Sequence, residues 1–211
     1  MRKTITQRPL VANLFVSLDG YASGTPGAEL RWLTTPFGDD VTRFALERLK
    51  AMDTLVVGRA TYEKLAPHWS AANGPLAEAM NAIPKVVVSR TLASGDLTWP
   101  NSRVVAGDVR TEIGALKRGT GRDVGLTGSV DLVRSLVKLG LVDRIELLVH
   151  PIVLGPEGGK RVFDGYDRGD LKLVDSIVLD GQVVVLDYRP LTGRDARHVW
   201  GRSDVPSGGD S

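Results

Sequence analysis

At four places in this chain an apolar run ends on residues that could do chemistry. "DTLVVGRATYE" passes from Val57 into Gly58-Arg59-Ala60-Thr61 and then into a helical pattern. The first turn of a helix carries unpaired N–H groups and a partial positive charge. Gly58, Arg59 and Thr61 together therefore suit a phosphate, the glycine letting a ligand approach the backbone. A plain turn with a surface arginine is the alternative. "KVVVSRTL" ends on Ser89, Arg90 and Thr91. Two hydroxyls and a guanidinium suit the 2′-phosphate of NADP, where an acidic residue would select NAD; a polar turn is the alternative. "DVGLTGSVDL" ends on Thr127, Gly128 and Ser129, which open a helix and could cradle a pyrophosphate, or could only cap that helix through Ser129. No G-x-G-x-x-G is present, so the three ends carry weight together rather than singly.

The fourth end is "LFVSLDGYASG". Leu14, Phe15, Val16 and Leu18 read as a buried strand, yet it carries Ser17 and stops on Asp19-Gly20 before Tyr21. Asp19 is either a turn residue or the lining of a pocket. Just past a buried strand, desolvation would raise its pKa toward the range useful for proton delivery, which makes it the first candidate acid. Asp40 is the second, although Asp39 and Asp40 also suit a helix's first turn. His68, His150 and His198 show no metal-ligand spacing, and His150, between Val149 and Pro151, reads as a packed core histidine. No G-x-S-x-G elbow or P-loop occurs, which counts against hydrolase and NTPase chemistry.

Short apolar runs alternating with helical patterns must position these residues, the signature of βαβ units and a largely parallel sheet. The runs are "LVANLFVSL", "DTLVVG", "IPKVVVS", "SRVVAG", "DVGLT" and "DRIELLVHPIVLG". Between the first two, "DDVTRFALERLK" puts Val41, Phe44, Ala45 and Leu49 on one helical face. "SVDLVRSLVKLG" carries an apolar stripe of Val130, Val133, Leu136 and Val137, with Ser129 as N-cap and Gly140 at C′. "KLVDSIVLDGQVVVLDYRP" is a hairpin around Asp180-Gly181, so the sheet should finish with antiparallel strands at one edge. The expected fold is a single-domain α/β mixed sheet, mostly parallel and flanked by helices, over residues 1–192. The polar, Gly-rich residues 193–211 are expected to be a flexible tail.

At 211 residues the chain fits one full core, and 42% hydrophobic with 25% charged residues is ordinary for a globular protein. A net charge of +2 without a basic run argues against nucleic acid. The absence of cysteine removes disulfides, thiolate zinc sites and cysteine nucleophiles. No signal-peptide pattern or membrane-length apolar run appears, so a cytoplasmic location is expected. The last strands are apolar on both faces, which predicts a homodimer built on the C-terminal part of the sheet.

In order along the chain, "VSLDGYAS", "DTLVVGRATYE", "KVVVSRTL", "LTGSVDLVRSLVKLGLVDRIELLVHPIVLG" and "KRVF" resemble the dihydrofolate-reductase-like superfamily. The pattern is similar to stand-alone relatives of the C-terminal reductase domain of bifunctional riboflavin-biosynthesis proteins. The resemblance implies an NADPH-dependent reductase acting on a small polar, heterocyclic or sugar-like substrate. It implies a phosphate role for Gly58, Arg59 and Thr61, the adenosine-ribose end for Ser89, Arg90 and Thr91, and the pyrophosphate for Thr127, Gly128 and Ser129. Ser17, Asp19 and Tyr21 would then border nicotinamide and substrate, with Asn13 on the substrate side. Three features depart from the pattern. Asn13 stands where riboflavin-pathway reductases resemble Lys-x-Ala-x-Ser-Leu-Asp-Gly, and the Pro-x-Leu-x-x-Arg segment has no clear match. Thr127-Gly128 replaces a Gly-Gly pair, which speaks against a cis peptide there. The pathway's 5-amino-6-(5-phosphoribosylamino)uracil reductase and a catalytically silent nucleotide-binding dimer are the alternative functions.

Overall fold

Each apolar run becomes a strand of one eight-stranded sheet in the computed structural model, which describes residues 7–33, 38–165 and 169–191. The strands are β1 (Leu10–Ser17), β2 (Met52–Gly58), β3 (Lys85–Val88), β4 (Ser102–Val105), β5 (Asp123–Thr127), β6 (Arg144–His150), β7 (Leu171–Leu179) and β8 (Val183–Pro190). Their order is β4-β3-β2-β5-β1-β6-β8-β7. The first six run parallel, and β8 and β7 close the sheet antiparallel. The helices are α1 (Asp39–Ala51), α2 (Arg59–Ala71), α3 (Pro75–Ala82), α4 (Val109–Arg118) and α5 (Val130–Lys138). Among the described residues no helix is long and apolar enough to cross a membrane.

The central strands are apolar on both faces because both faces are covered. Leu10, Ala12, Leu14 and Val16 of β1 join Ile113 of α4 and Val133 and Leu136 of α5 in one layer. The other face divides in two: Phe15 packs with Val41 and Phe44 of α1, while Val57 and Val87 meet Tyr62 of α2 and Met80 of α3. The stripe read from α5 is buried as expected at Val130, Val133 and Leu136. The Ser129 hydroxyl accepts from Leu132 N–H at 3.4 Å. Gly140, at φ +67°, ends the helix, with Leu141 N–H returning to the Leu136 carbonyl at 3.0 Å.

The β7–β8 hairpin turns on Asp180 (φ +50°) and Gly181 (φ +65°), the two positive φ values that a type I′ turn requires. It also does something the sequence pattern does not announce. The Asp180 carboxylate accepts from the backbone N–H groups of Asp40 and Val41, at 3.0 and 3.1 Å, and so caps α1 from 140 positions away. Residues 193–211, read as a tail, lie outside the described residues.

Candidate active site

Strand order sets the site. Passing along the carboxyl ends from β3 through β2 and β5 to β1 meets Ser89-Arg90-Thr91, then Gly58-Arg59-Ala60-Thr61, then Thr127-Gly128-Ser129, then Ser17 to Tyr21. Three strand spacings separate the first from the last, about 14 Å. All four chemically marked ends therefore lie on one continuous ledge, and ligands of open α/β sheets bind there.

At the middle of the ledge the chain is packed closely. A Cβ on Gly58 would stand 2.9 Å from the Ser129 hydroxyl, and one on Gly128 (φ +51°) would stand 2.7 Å from the Thr61 hydroxyl. The glycines thus let the β2–α2 and β5–α5 junctions close on each other. At Gly58 the space a side chain would take is filled by Ser129. Gly58 N–H donates to the Gly128 carbonyl at 3.3 Å, and the Gly128–Ser129 peptide is cis, contrary to the expectation drawn from Thr127-Gly128. The start of α2 has no side-chain cap, which leaves its first amides facing the ledge edge. Arg59 is tied to Glu63, four residues on, at 2.9 and 3.0 Å.

At the β3 end the three residues separate in role. Ser89 is buried, and its hydroxyl accepts from Thr91 and Leu92 N–H groups at 3.1 and 2.9 Å, which makes it the pivot of the turn. Arg90 and Thr91 are exposed beyond it, and Arg90 makes no ion pair among the described residues.

At the β1 end, Ser17 and Asp19 work as a pair. Ser17 Oγ donates to Asp19 Oδ1 at 2.7 Å and accepts from Tyr21 N–H at 3.0 Å. Asp19 then reaches across to the loop after β6, accepting from Leu154 N–H at 3.1 Å and Gly155 N–H at 2.8 Å. These bonds stabilise the ionised carboxylate, the Ser17 hydroxyl most of all, and hold its pKa at about 2. The expected rise through desolvation is therefore reversed, because three donors outweigh partial burial. Asp40 is shifted the same way, through Asp180 N–H at 3.0 Å and then Arg43. It sits in the reciprocal latch between α1 and the hairpin.

Asn13 pairs in register with Thr127 of β5. It is four residues back from Ser17 on the α1 face, donating to the buried Glu146 at 3.2 Å. Arg48 of α1 and Arg144 share that carboxylate at 3.0 and 3.4 Å, and burial raises the Glu146 pKa. Asn13 thus joins a charged cluster around the buried Glu146 while standing level with Thr127 of the ledge. His150 ends β6 half-buried between Phe15 and Trp32, each ring 5.6 Å away, and burial lowers its pKa, so it is neutral at pH 7.

Three features were not anticipated. Leu18 and Val153, 67% and 65% exposed, put apolar surface beside the Asp19 turn. Glu29 in the β1–α1 loop pairs with Lys64 of α2 at 2.7 Å, which ties that loop to the helix. Tyr21 is covered by Arg161. Each joins segments far apart in sequence, and only the exposed apolar residues at a loop carry any local signal.

A family model described as the RibD C-terminal domain matches residues 8–185, a span that holds every strand end of the ledge. An uncharacterized protein of Bacillus subtilis (strain 168), YyaP, is 30% identical over 194 residues, 89% of this chain and 98% of its own length. A Shewanella sp. PV-4 protein assigned to riboflavin biosynthesis superposes with a TM-score of 0.69 at 22% identity, over 87% of this chain and 99% of that one. Dihydrofolate reductase from Enterococcus faecalis, solved with NADP(H), superposes with a TM-score of 0.58 at 18% identity, over 88% and 98%. The architecture is therefore the expected dihydrofolate-reductase-like one, and the chain belongs to the RibD C-terminal domain family.

Proposed function

We propose that this protein is an NADPH-dependent reductase of a small polar, heterocyclic or sugar-like substrate. The observation that carries the reading is the order of the ledge. Ser89-Arg90-Thr91, the start of α2, Thr127-Gly128-Ser129 and the Ser17–Tyr21 turn follow one another across neighbouring strands, an order that would suit a dinucleotide laid from its 2′-phosphate to its nicotinamide. Bound NADPH would supply the hydride, and the chain's part is binding, orientation and exclusion of water. Arg90 and Thr91 would hold the 2′-phosphate, and the uncapped start of α2, with Thr61 and Ser129, the pyrophosphate. Leu18 and Val153 would give a planar ring an apolar face. At pH 7 a carboxyl group with a pKa of about 2 is ionised, so Asp19 would serve to hold the turn through its hydrogen bonds.

NADPH should bind at least tenfold more tightly than NADH, about 1.4 kcal/mol, and Arg90→Ala should remove most of that preference. Titration of both cofactors by fluorescence checks this. Equal losses for the two would take Arg90 out of the phosphate site. The engagement of both Asp19 and Asp40 favours a second reading, a silent nucleotide-binding protein. Tight NADPH binding without oxidation on any pterin, pyrimidine or quinone would select it. The riboflavin-pathway reductase is tested on its own aminouracil substrate, and Asn13, in place of the lysine, stands against it.

A further inference from the structure

Residues 158–163 carry the "KRVF" stretch, and none of the roles above uses it. The segment is fastened on two sides. Toward β1, Ala22 N–H donates to the Lys160 carbonyl at 2.8 Å and Val162 N–H to the Gly20 carbonyl at 3.0 Å. Toward α5, Arg134 donates to the Val162 carbonyl at 3.1 Å and also to the Arg161 carbonyl, while Lys160 pairs with Asp131. Tyr21 is seated on the same segment: a Cβ on Gly158 would stand 2.5 Å from its ring. The Arg161 guanidinium covers that ring, its carbon 4.7 Å from the centroid and Nη2 3.2 Å from the phenol oxygen.

A guanidinium stacked on a seated aromatic has lost most of its rotamers before any ligand arrives. Here it uses one of five N–H donors, on Tyr21, and it forms no ion pair among the described residues. Asp131 of α5 is taken by Lys160 and Arg134. Asp164 and Asp19 act on Arg161 through space only. The result is an exposed, oriented cation beside the turn at the β1 end.

We propose that Arg161, on its Tyr21 platform, binds an oxyanion of the substrate, a carboxylate or a phosphate. The planar fork matches either group. The proposal rests on the reductase reading of the ledge, and it narrows the substrate to anionic compounds.

The test follows the arginine Nε–Hε NMR signals of the full chain during titration with inorganic phosphate and with acetate at constant ionic strength, with and without saturating NADPH. The Arg161 signal should move and saturate with both anions, and it should do so with NADPH bound. Tyr21→Leu should weaken the response at least threefold, and Arg161→Gln should abolish the anion-induced shifts of the neighbouring backbone amides while leaving NADPH affinity within about twofold. Backbone amide dispersion in the same spectra reports folding. A silent Arg161 signal, or a response confined to Arg59 or Arg90, overturns the proposal. Loss of the response when NADPH binds assigns the anion to the cofactor and overturns it too. If the wild type fails to bind NADPH, the reductase reading falls by that measurement alone, whatever Arg161 does.

Discussion

Three donors converge on the Asp19 carboxylate, the Ser17 hydroxyl and the amides of Leu154 and Gly155, and together they tie the end of β1 to the loop after β6. A folded-state pKa of about 2 lies below the ordinary aspartate value near 3.9 in an unfolded chain. The ionised form is thus favoured by folding. Its contribution is fully present above about pH 4 and is lost as pH falls toward about 2. Asp19→Asn keeps the size but turns one acceptor into a donor facing an amide. The variant should melt several degrees lower at pH 7, and the difference should shrink to nothing as the pH approaches 2. NADPH affinity should stay within about twofold, and any activity should fall only in proportion to unfolded protein. Thermal melts from pH 7 to pH 2 decide the matter. Equal melting temperatures at neutral pH would show that the three hydrogen bonds do not hold the turn.

The elements follow local rules until two of them have to meet. Strand runs, the α5 stripe, its Ser129 cap and the Asp180-Gly181 turn were all legible, because each depends on neighbours within one turn or one hairpin. The docking of the hairpin on α1 was not, since the residues involved are 140 positions apart and Asp180 looks like any turn aspartate. The same limit explains the glycines. Gly58 and Gly128 invite a ligand reading in sequence, whereas the structure uses their missing side chains to bring two strand ends together. Asp19 and Asp40 stand out in the sequence as candidate acids, and Ser17 and Arg43 are local partners, but Leu154, Gly155 and Asp180 lie across the chain. Because Asp180 acts as a remote cap, Asp180→Gly keeps the left-handed turn and deletes only the carboxylate. It should cost about 0.5–2 kcal/mol, the range for losing a helix cap, and Asp180→Asn should retain part of that. Urea unfolding of the three proteins measures it. A Gly variant as stable as the wild type would mean that water caps α1 equally well.

The two edges of the sheet are unlike. β4 is four residues long, and a short edge offers little to a partner strand. β7 is nine residues long and exposed along nearly its whole length, with Leu173, Val174, Ile177 and Val178 between 37% and 62% exposed. A register shift between Leu173 and Asp175 leaves Val174 as an extra residue, and a groove of about 570 Å³ opens beside it. Arg144, Lys172 and Arg189 face Asp175 and Asp187 in that groove, so it carries both signs of charge and suits a copy of itself better than a strongly charged partner. An edge this long and apolar invites pairing unless something covers it, and symmetric self-association is the commonest cover. The expected state is a two-fold dimer through β7, with a mass twice the 22.7 kDa chain by light scattering at micromolar concentration. Ile177→Asp combined with Val178→Lys should shift it to monomer, since both side chains are exposed and neither belongs to a buried core cluster. Far-UV circular dichroism should not change, while the melting temperature should fall and lose its dependence on protein concentration. A monomeric wild type at that concentration would sink the idea. A double variant that stays dimeric would place the interface on another face, and the exposed β7 edge would then need a different partner.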